Sequence, residues 1–458
     1  MDKKTTIIIA VVAVVIIAAA AAFVLMNKNS SDDDGYDIGC KLKVYGNVNN
    51  DNYLDKKDLS LLNDMIEGKI TWSLKEYPFA DVDKSGAVDQ SDVTLLKKFL
   101  NGESATMYYM DCQGDAYRVH YPLTEVFENG KYCAFTQFTS GIDMLTILGL
   151  EKNIKYLSDG DIKAGKLDET LYPGLNSQIK GANLKLNADD YEIFMSNNVK
   201  LVLLDYRWGA ADLIEAAAED YDNYGMNIVN LPLNRGVNDT NWEDTLITLG
   251  AMCNLQDKTA KYIKYLEKVD EKIDEALAKA GAKNKTYLMP YFSLGYDPTD
   301  TQWLELRNGK NVFGDVIAME KIPAFKCPLS SAEIEEFDNN GIEPETLVSY
   351  QPDVLVVSCY GYAGGDYTLA KYKEDFNNFA KTYRDIGFKG QIVALTFESF
   401  GTLPCAGSLL TLASLVWDQF DEDEAWELMY EYYSTFTNFD GSLKDLKNSK
   451  YAPLVYEG

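Results

Sequence analysis

Two stretches of the chain carry oxygen side chains at the same intervals. "NVNNDNYLDKKDLSLL" begins at Asn47 and "DVDKSGAVDQSDVTLL" begins at Asp81. In each, donors fall at the first, third, fifth, ninth and twelfth places, with a carbonyl available at the seventh. That is the spacing by which a tight loop closes around a hard cation, and it suits calcium. The first set is Asn47, Asn49, Asp51, Asp55 and Asp58 with the Tyr53 carbonyl. The second is Asp81, Asp83, Ser85, Asp89 and Asp92 with the Ala87 carbonyl. Gly86 supplies the bend at the sixth place, and Asn52 is expected to take that role in the first loop through a left-handed backbone. The competing reading is a pair of Asx-rich turns that only cap two helices.

The elements behind the loops are short helices. "LSLLNDMIEG" and "VTLLKKFLNG" are apolar at helical spacing, and Gly68 and Gly102 close them. Two such loops, each with a twelfth-place Asp and a single following helix, resemble the dockerin module, a calcium-dependent plug for cohesin receptors. The resemblance covers residues 41–102 and implies a small all-α module with two calcium ions and a possible cohesin-like partner. In that family the tenth and eleventh loop places help choose the partner; here they are Lys56 and Lys57, then Gln90 and Ser91.

A second group of residues with binding chemistry lies further on. Flat and polar side chains follow one β-rich segment after another: Gln137 and Phe138; Tyr206, Arg207 and Trp208; Asn234 and Arg235; Tyr291, Phe292 and Tyr296; Tyr360 and Tyr362; Phe397, Glu398 and Phe400. Aromatic walls suit a large planar or partly apolar ligand, and the arginines suit carboxylate or phosphate. Their positions matter because parallel sheets present ligands at the carboxyl ends of their strands. "KYCAFTQF", "KLVLLDY" and "MNIVNLPL" are expected strands of a first lobe, and "KTYLMPYF", "PDVLVVSCY" and "QIVALTF" of a second. Between them, Ile263, Leu266, Val269, Ile273 and Leu277 share one face of a long helix that Gly281 should stop. The fold class expected is therefore α/β, two parallel-sheet lobes joined by a linking helix.

This arrangement resembles the substrate-binding proteins of metal-chelate ABC importers, which bind cobalamin, haem or iron-siderophore. The resemblance spans residues 117–456 and is carried by "MLTILGLEKNIKYLS", "ETLVSYQPDVLVVS" and "GSLLTLASLVW" around the linking helix. It implies a periplasmic-binding-protein-like fold with the ligand in a groove between lobes and no catalytic residues. It also implies an ABC permease partner, met by one exposed glutamate on each lobe seven residues before a Pro-Asp. "ETLVSYQPD" puts Glu345 at that place, and "EIFMSNNVK" puts Glu192 there with Val199 and Lys200 replacing Pro-Asp. The plain alternative is two solvated acids near helix starts.

The rest of the chain bounds these readings. A formal charge of −28 over 458 residues opposes general nucleic-acid binding. Residues 5–26 form an uncharged run long enough to span a bilayer, with Lys3 and Lys4 before it and acids after it. A single-pass anchor with the body facing the exterior is expected, the rival being a cleaved signal peptide, whose usual core is only roughly 7–15 residues. Cys133, Cys253 and Cys359, three of seven scattered cysteines, sit in apolar surroundings and read as core residues. The one histidine, His120, leaves most acyl-transfer triads and zinc hydrolases without their base or ligand. "GDIKAGKL" from Gly160 imitates a phosphate loop but ends in Leu167, and reads as a surface turn. The alternatives left are an anchored dockerin-bearing glycosidase, which needs only two carboxylates, and a scaffold or adhesion protein. The expected division is 1–30 anchor or signal, 31–40 linker, 41–102 calcium module, 103–116 linker, 117–254 first lobe, 255–282 linking helix and 283–458 second lobe with C-terminal helices.

Overall fold

A computed structural model describes residues 42–111, 114–137, 139–158, 167–178, 180–182, 187–205, 210–233, 242–279, 285–288, 291–292, 325–326, 330, 332–333, 344–359, 368–396, 399, 403 and 405–458. The expected membrane span, residues 5–26, lies outside these, as does the turn from Gly160 to Lys166. Among the described residues no helix is long and apolar enough to cross a membrane.

Each oxygen-rich loop runs into a helix, α1 (Lys56–Ile66) and α2 (Gln90–Asn101). Asp55 and Asp89 cap them, and each capping box is closed by the acid three residues on, Asp58 or Asp92. Gly102 ends α2 in the left-handed region at φ 70°, where a Cβ would be strained. Leu62 and Met65 of α1 and Val93, Leu96 and Phe99 of α2 are buried. Within 41–102 the described helices are these two, and Val44 forms an isolated antiparallel bridge to Tyr109.

Residues 103–116, expected to be a linker, instead carry β1 (Ala105–Met110), which pairs antiparallel with β2 (Ala116–Tyr121). Its alternating Met107 and Tyr109 are fully buried. The Tyr109 hydroxyl donates to the Ile228 carbonyl at 3.0 Å and accepts from the Asn230 N–H at 2.9 Å. Besides its local hairpin partner, the strand is thus held by groups more than a hundred residues away. The same hairpin receives the two-loop module: Tyr45 N–H donates to the Tyr108 carbonyl at 2.9 Å, and the Tyr121 hydroxyl donates to the Phe99 carbonyl at 2.6 Å.

The first sheet comprises β3 (Cys133–Thr136), β4 (Ile154–Ser158), β5 (Lys180–Ala182), β6 (Val199–Leu204) and β7 (Asn227–Asn230). Its order is β5-β4-β3-β6-β7, all parallel. Helices α3 (Thr139–Leu148), α4 (Ala188–Ser196) and α5 (Ala211–Glu219) fall between strands in sequence. Every residue of β6 is buried, as a central strand covered on both faces must be.

After α6 (Trp242–Met252) comes the linking helix, α7 (Gln256–Ala278). Leu266, Val269 and Ile273 are buried as expected, and Ile263 and Leu277 pack part-buried against the same core. The helix ends at Ala278 with Lys279 extended, ahead of Gly281, which lies outside the described residues. The aliphatic pattern did not reveal Tyr262 and Tyr265, both buried on this helix.

The second sheet holds β8 (Lys285–Leu288), β9 (Tyr291–Phe292), β10 (Phe325–Lys326), β11 (Val354–Cys359), β12 (Gln391–Thr396) and β13 (Leu454–Val455). Its order is β10-β8-β11-β12-β13, with β9 also on β11; β13 is antiparallel and the others are parallel. Helices α8 (Pro344–Ser349) and α9 (Leu369–Asp385) precede β11 and β12. The closing helices α10 (Cys405–Val416), α11 (Glu422–Phe436) and α12 (Leu443–Lys447) join a hydrophobic cluster that also takes in the first lobe, the linking helix and Val354, Val356, Val393 and Leu395 of the second sheet. Tyr262 meets Phe436 edge-on at 5.5 Å between centroids, and Tyr265 meets Tyr432 at 5.8 Å. A Cβ at Gly407 of α10 would lie 2.3 Å from the Tyr265 hydroxyl, so this crossing requires glycine.

A buried ion pair fastens the chain's end to the first lobe. Lys450 Nζ lies 2.8 Å from Asp168 Oδ2, which also accepts from the Tyr451 hydroxyl at 2.6 Å. Burial alone would raise the Asp168 carboxyl, but Lys450, Tyr451 and the Thr170 N–H outweigh it and hold the carboxyl below its ordinary range. A depressed carboxyl stabilises the fold above its unfolded value and loses that contribution as pH falls through its folded value. Asp168→Ala, which strands a buried ammonium, should cost about 3–5 kcal/mol in urea unfolding at neutral pH. The gap to the parent should narrow below about pH 4, near the unfolded carboxyl value. An unchanged midpoint at neutral pH would show the pair to be dispensable.

Candidate functional site

In the first loop Asn47 is fully buried, and its Nδ2 donates to the carbonyls of Leu42 and Asp51, each at 2.8 Å. Its Oδ1 is buried without a hydrogen-bond partner, a costly state that an electrophile would relieve. Asp51 accepts from Tyr53 N–H at 2.8 Å, and Asn49 Oδ1 accepts from Asp51 N–H at 2.9 Å. Asp58 Oδ1 and Oδ2 accept from Asn49 N–H at 3.1 Å and Asp55 N–H at 2.8 Å. Burial pushes the Asp58 carboxyl up to about 6, against those two N–H donors and with help from Asp51 and Asp55. The left-handed residue here is Asn50, φ 56°, not Asn52; Lys84, φ 59°, occupies the same place in the second loop. The turn therefore bends two residues earlier than the glycine analogy implied.

In the second loop the oxygens of Asp81, Asp83 and Asp92 converge within 4.8 Å of one another. Asp81 accepts from the N–H groups of Ser85 and Gly86, both at 2.9 Å, and Gly86 bends at φ 91° as expected. Asp92 accepts from Val82 N–H at 2.6 Å and Asp89 N–H at 2.7 Å, and burial raises its carboxyl. Ser85 Oγ donates to the Ala87 carbonyl at 3.3 Å. Three carboxylates held together with only backbone donors repel one another, and a divalent cation relieves that repulsion. Hard oxygen donors, an orphaned Asn47 oxygen and converging carboxylates together fit calcium.

The strand orders define a second candidate region. In the first sheet the winding reverses between β3 and β6, in the second between β8 and β11. Crevices at such reversals, outside the carboxyl ends of the strands, take ligands in open α/β sheets. Gln137 immediately follows β3 and is buried; its Oε1 accepts the Asp205 N–H at 2.9 Å. It acts there as a brace between strand ends. Asp205, at the end of "KLVLLDY" and without a local pattern to mark it, is buried and accepts the Leu233 N–H at 3.1 Å. Gln137 and Asp205 thus tie together the ends of β3, β6 and β7.

Tyr291 lies on β9, whose backbone pairs with the end of β11 (Ser358 with Tyr291, Cys359 with Phe292). Phe138, Tyr206, Arg207, Trp208, Asn234, Arg235, Tyr296, Tyr360, Tyr362, Phe397, Glu398 and Phe400 lie outside the described residues. By sequence, all but Tyr296 follow within a few residues the carboxyl ends of β3, β6, β7, β11 and β12. Glu192 and Glu345 are both exposed. Glu345 sits in the first turn of α8, but Glu192 sits in the second turn of α4, beyond the reach of a helix-start effect.

Residues read as structural are so placed. His120 Nε2 lies 3.0 Å from Glu125 Oε2, and its backbone N–H donates to Asn227 Oδ1 at 2.6 Å. Cys133 and Cys253 are buried free thiols, and burial pushes Cys253 up to about 12. The side chain of Cys359 lies outside the described residues.

Residues 45–101 match the family model of the dockerin type I domain. No curated protein matches the chain. Among solved structures, a TroA-like periplasmic binding protein, FepB, of Veillonella parvula is similar at 13% identity and a TM-score of 0.48, over 73% of this chain and 97% of that one. An ABC transporter solute-binding protein of Sulfurospirillum deleyianum is similar at 10% identity and a TM-score of 0.47, over 75% and 98%. The triscatecholate siderophore-binding protein FeuA of Bacillus subtilis, complexed with ferri-bacillibactin, is similar at 12% identity and a TM-score of 0.39, over 64% and 92%. These likenesses are low, and the architecture rests on its own strand order.

The raised Asp58 carboxyl has a measurable sign. Its folded value of about 6 exceeds the unfolded value, so the folded module binds the extra proton between them. In chelator, stability should therefore fall as pH rises from about 4 to about 6 and level off above. Thermal unfolding of the parent against Asp58→Ala across that window checks it; parallel pH profiles would refute it.

Proposed function

We propose that this chain is an extracytoplasmic substrate-binding protein that captures a metal chelate (cobalamin, iron-siderophore or haem) between its two lobes and delivers it to an ABC importer. The observation that most supports the reading is the strand order. Two separately wound sheets, parallel but for β13 and each with its own reversal point, follow one another by way of α6 and the 23-residue α7. Such a pair offers two ligand-facing strand ends and a stiff connection. The aromatic and arginine residues that follow those strand ends, Phe138, Tyr206, Arg207, Trp208, Arg235, Tyr291, Tyr360, Tyr362 and Phe397 with Tyr296, suit the flat body and acidic groups of a chelate. The chain is a binder, and no step of bond chemistry is assigned to it.

The module at 41–102 holds two calcium sites in this reading, the second the tighter because four of its five side-chain donors are carboxylates against three in the first. Lys56, Lys57, Gln90 and Ser91 are exposed, as a cohesin-like partner would need. The uncharged run at 5–26 anchors the chain in the cell membrane with its body outside.

Native mass spectrometry of the purified protein should reveal a co-purified chelate. Replacing Trp208 with Ala should weaken its binding by on the order of 1–3 kcal/mol with the fold intact. Failure of the parent to bind any cobamide, haem or siderophore would leave the display of the calcium module as the better reading.

Glu192 and Glu345 are assigned to permease docking. Rim charges chiefly govern encounter and orientation, so the double variant Glu192→Lys, Glu345→Lys should slow uptake while chelate affinity holds. Undiminished uptake would make both ordinary surface acids.

A further inference from the structure

The calcium module makes a contact whose partner is the linking helix itself. Leu54, the eighth residue of the first loop, donates its N–H to Gln256 Oε1 at 2.8 Å, and its carbonyl accepts from Gln256 Nε2 at 3.2 Å. Gln256 is the first residue of α7, and its amide pairs with the Leu54 backbone in both directions, as a neighbouring strand would. The helix has no cap of its own here: Leu255 supplies no side-chain hydrogen bond at the N-cap. The module touches the preceding bend a second time, since a Cβ on Gly102 would lie 2.7 Å from Asn254 Nδ2. Asn254 is itself left-handed, φ 56°. Leu54 is buried and Gln256 half-buried, so the pairing is partly screened from water.

The Leu54 N–H belongs to the same peptide unit as the Tyr53 carbonyl, the seventh-place donor of the first loop. A cation on that oxygen withdraws electrons through the amide and strengthens the N–H as a donor to Gln256. The loop and the helix start therefore share one peptide group. We propose that the first calcium site is an effector site for this chain, in which loop occupancy and the seating of the linking helix are coupled through Leu54 and Gln256. The module then has an intramolecular function besides any partner it meets, and calcium outside the cell sets how firmly the connection between the lobes is held. This rests on the proposed calcium sites.

Coupling between two sites is reciprocal, so it is readable from the calcium side. The full-length protein in detergent micelles, carrying Asp81→Ala to silence the second loop, is titrated with calcium by calorimetry. Adding Gln256→Ala should weaken the remaining site about fivefold, within the usual span of coupling energies. Gln256→Glu, which keeps an acceptor for the Leu54 N–H, should recover part of the loss. Hydrogen exchange gives the other direction: calcium should slow the Leu54 amide and the first turn of α7 in the Gln256 protein but not slow that turn in the Ala variant. Calcium binding with the same affinity in both proteins would overturn the coupling alone. No calcium uptake by the parent would remove the calcium reading beneath it, and the coupling with it.

Discussion

The buried face of the linking helix is the constraint on which the other elements depend. One stripe of a single helix has to satisfy several neighbours at once, and it does so by placing Tyr262, Tyr265, Leu266, Val269 and Ile273 in one core. The closing helices meet it through aromatic contacts, and Gly407 lets α10 approach where any side chain would collide. Because the core is close-packed, a shift of this helix would disturb the first lobe, the closing helices and the dockerin-like module together.

That shared core reaches both sheets. α10, α11 and α12 lie in one hydrophobic cluster with the linking helix, the first lobe and Val354, Val356, Val393 and Leu395 of the second sheet, to which the chain then returns as β13. Asp168 and Lys450 stand at this seam, with the Asn438 amide donating to the Leu171 carbonyl at 3.0 Å beside it. A charge pair in such a place stabilises less by its net energy than by penalising every arrangement that separates it.

The dockerin-like module is drawn into the same body through hydrogen bonds to a hairpin and to the start of α7. Its surface is thereby split. The tenth and eleventh loop residues remain exposed, whereas Leu54, only a few residues away, is committed to the chain's own helix. One loop can serve both purposes because its side chains and its backbone point different ways.

The sequence by itself determined whatever depends on neighbours within a turn or a loop. The oxygen spacing of both loops, the two capped helices, the strands "KLVLLDY", "PDVLVVSCY" and "QIVALTF", and the aliphatic stripe of α7 are local patterns, legible because helix and strand periodicities act over a few residues. Even inside a loop local pattern has a limit: Asn50 and Asn52 are the same residue type, and the backbone turns left-handed at Asn50 and not at Asn52, while in the second loop it does so at Lys84 as well as Gly86. Only the tertiary structure decided that residues 105–110 form a strand, that Gln137 braces Asp205, that Tyr262 and Tyr265 face the core, and that Gln256 pairs with Leu54 across 202 positions. Each of these depends on a partner brought close by folding, and a glutamine that will pair with a distant peptide is chemically identical to one that faces water.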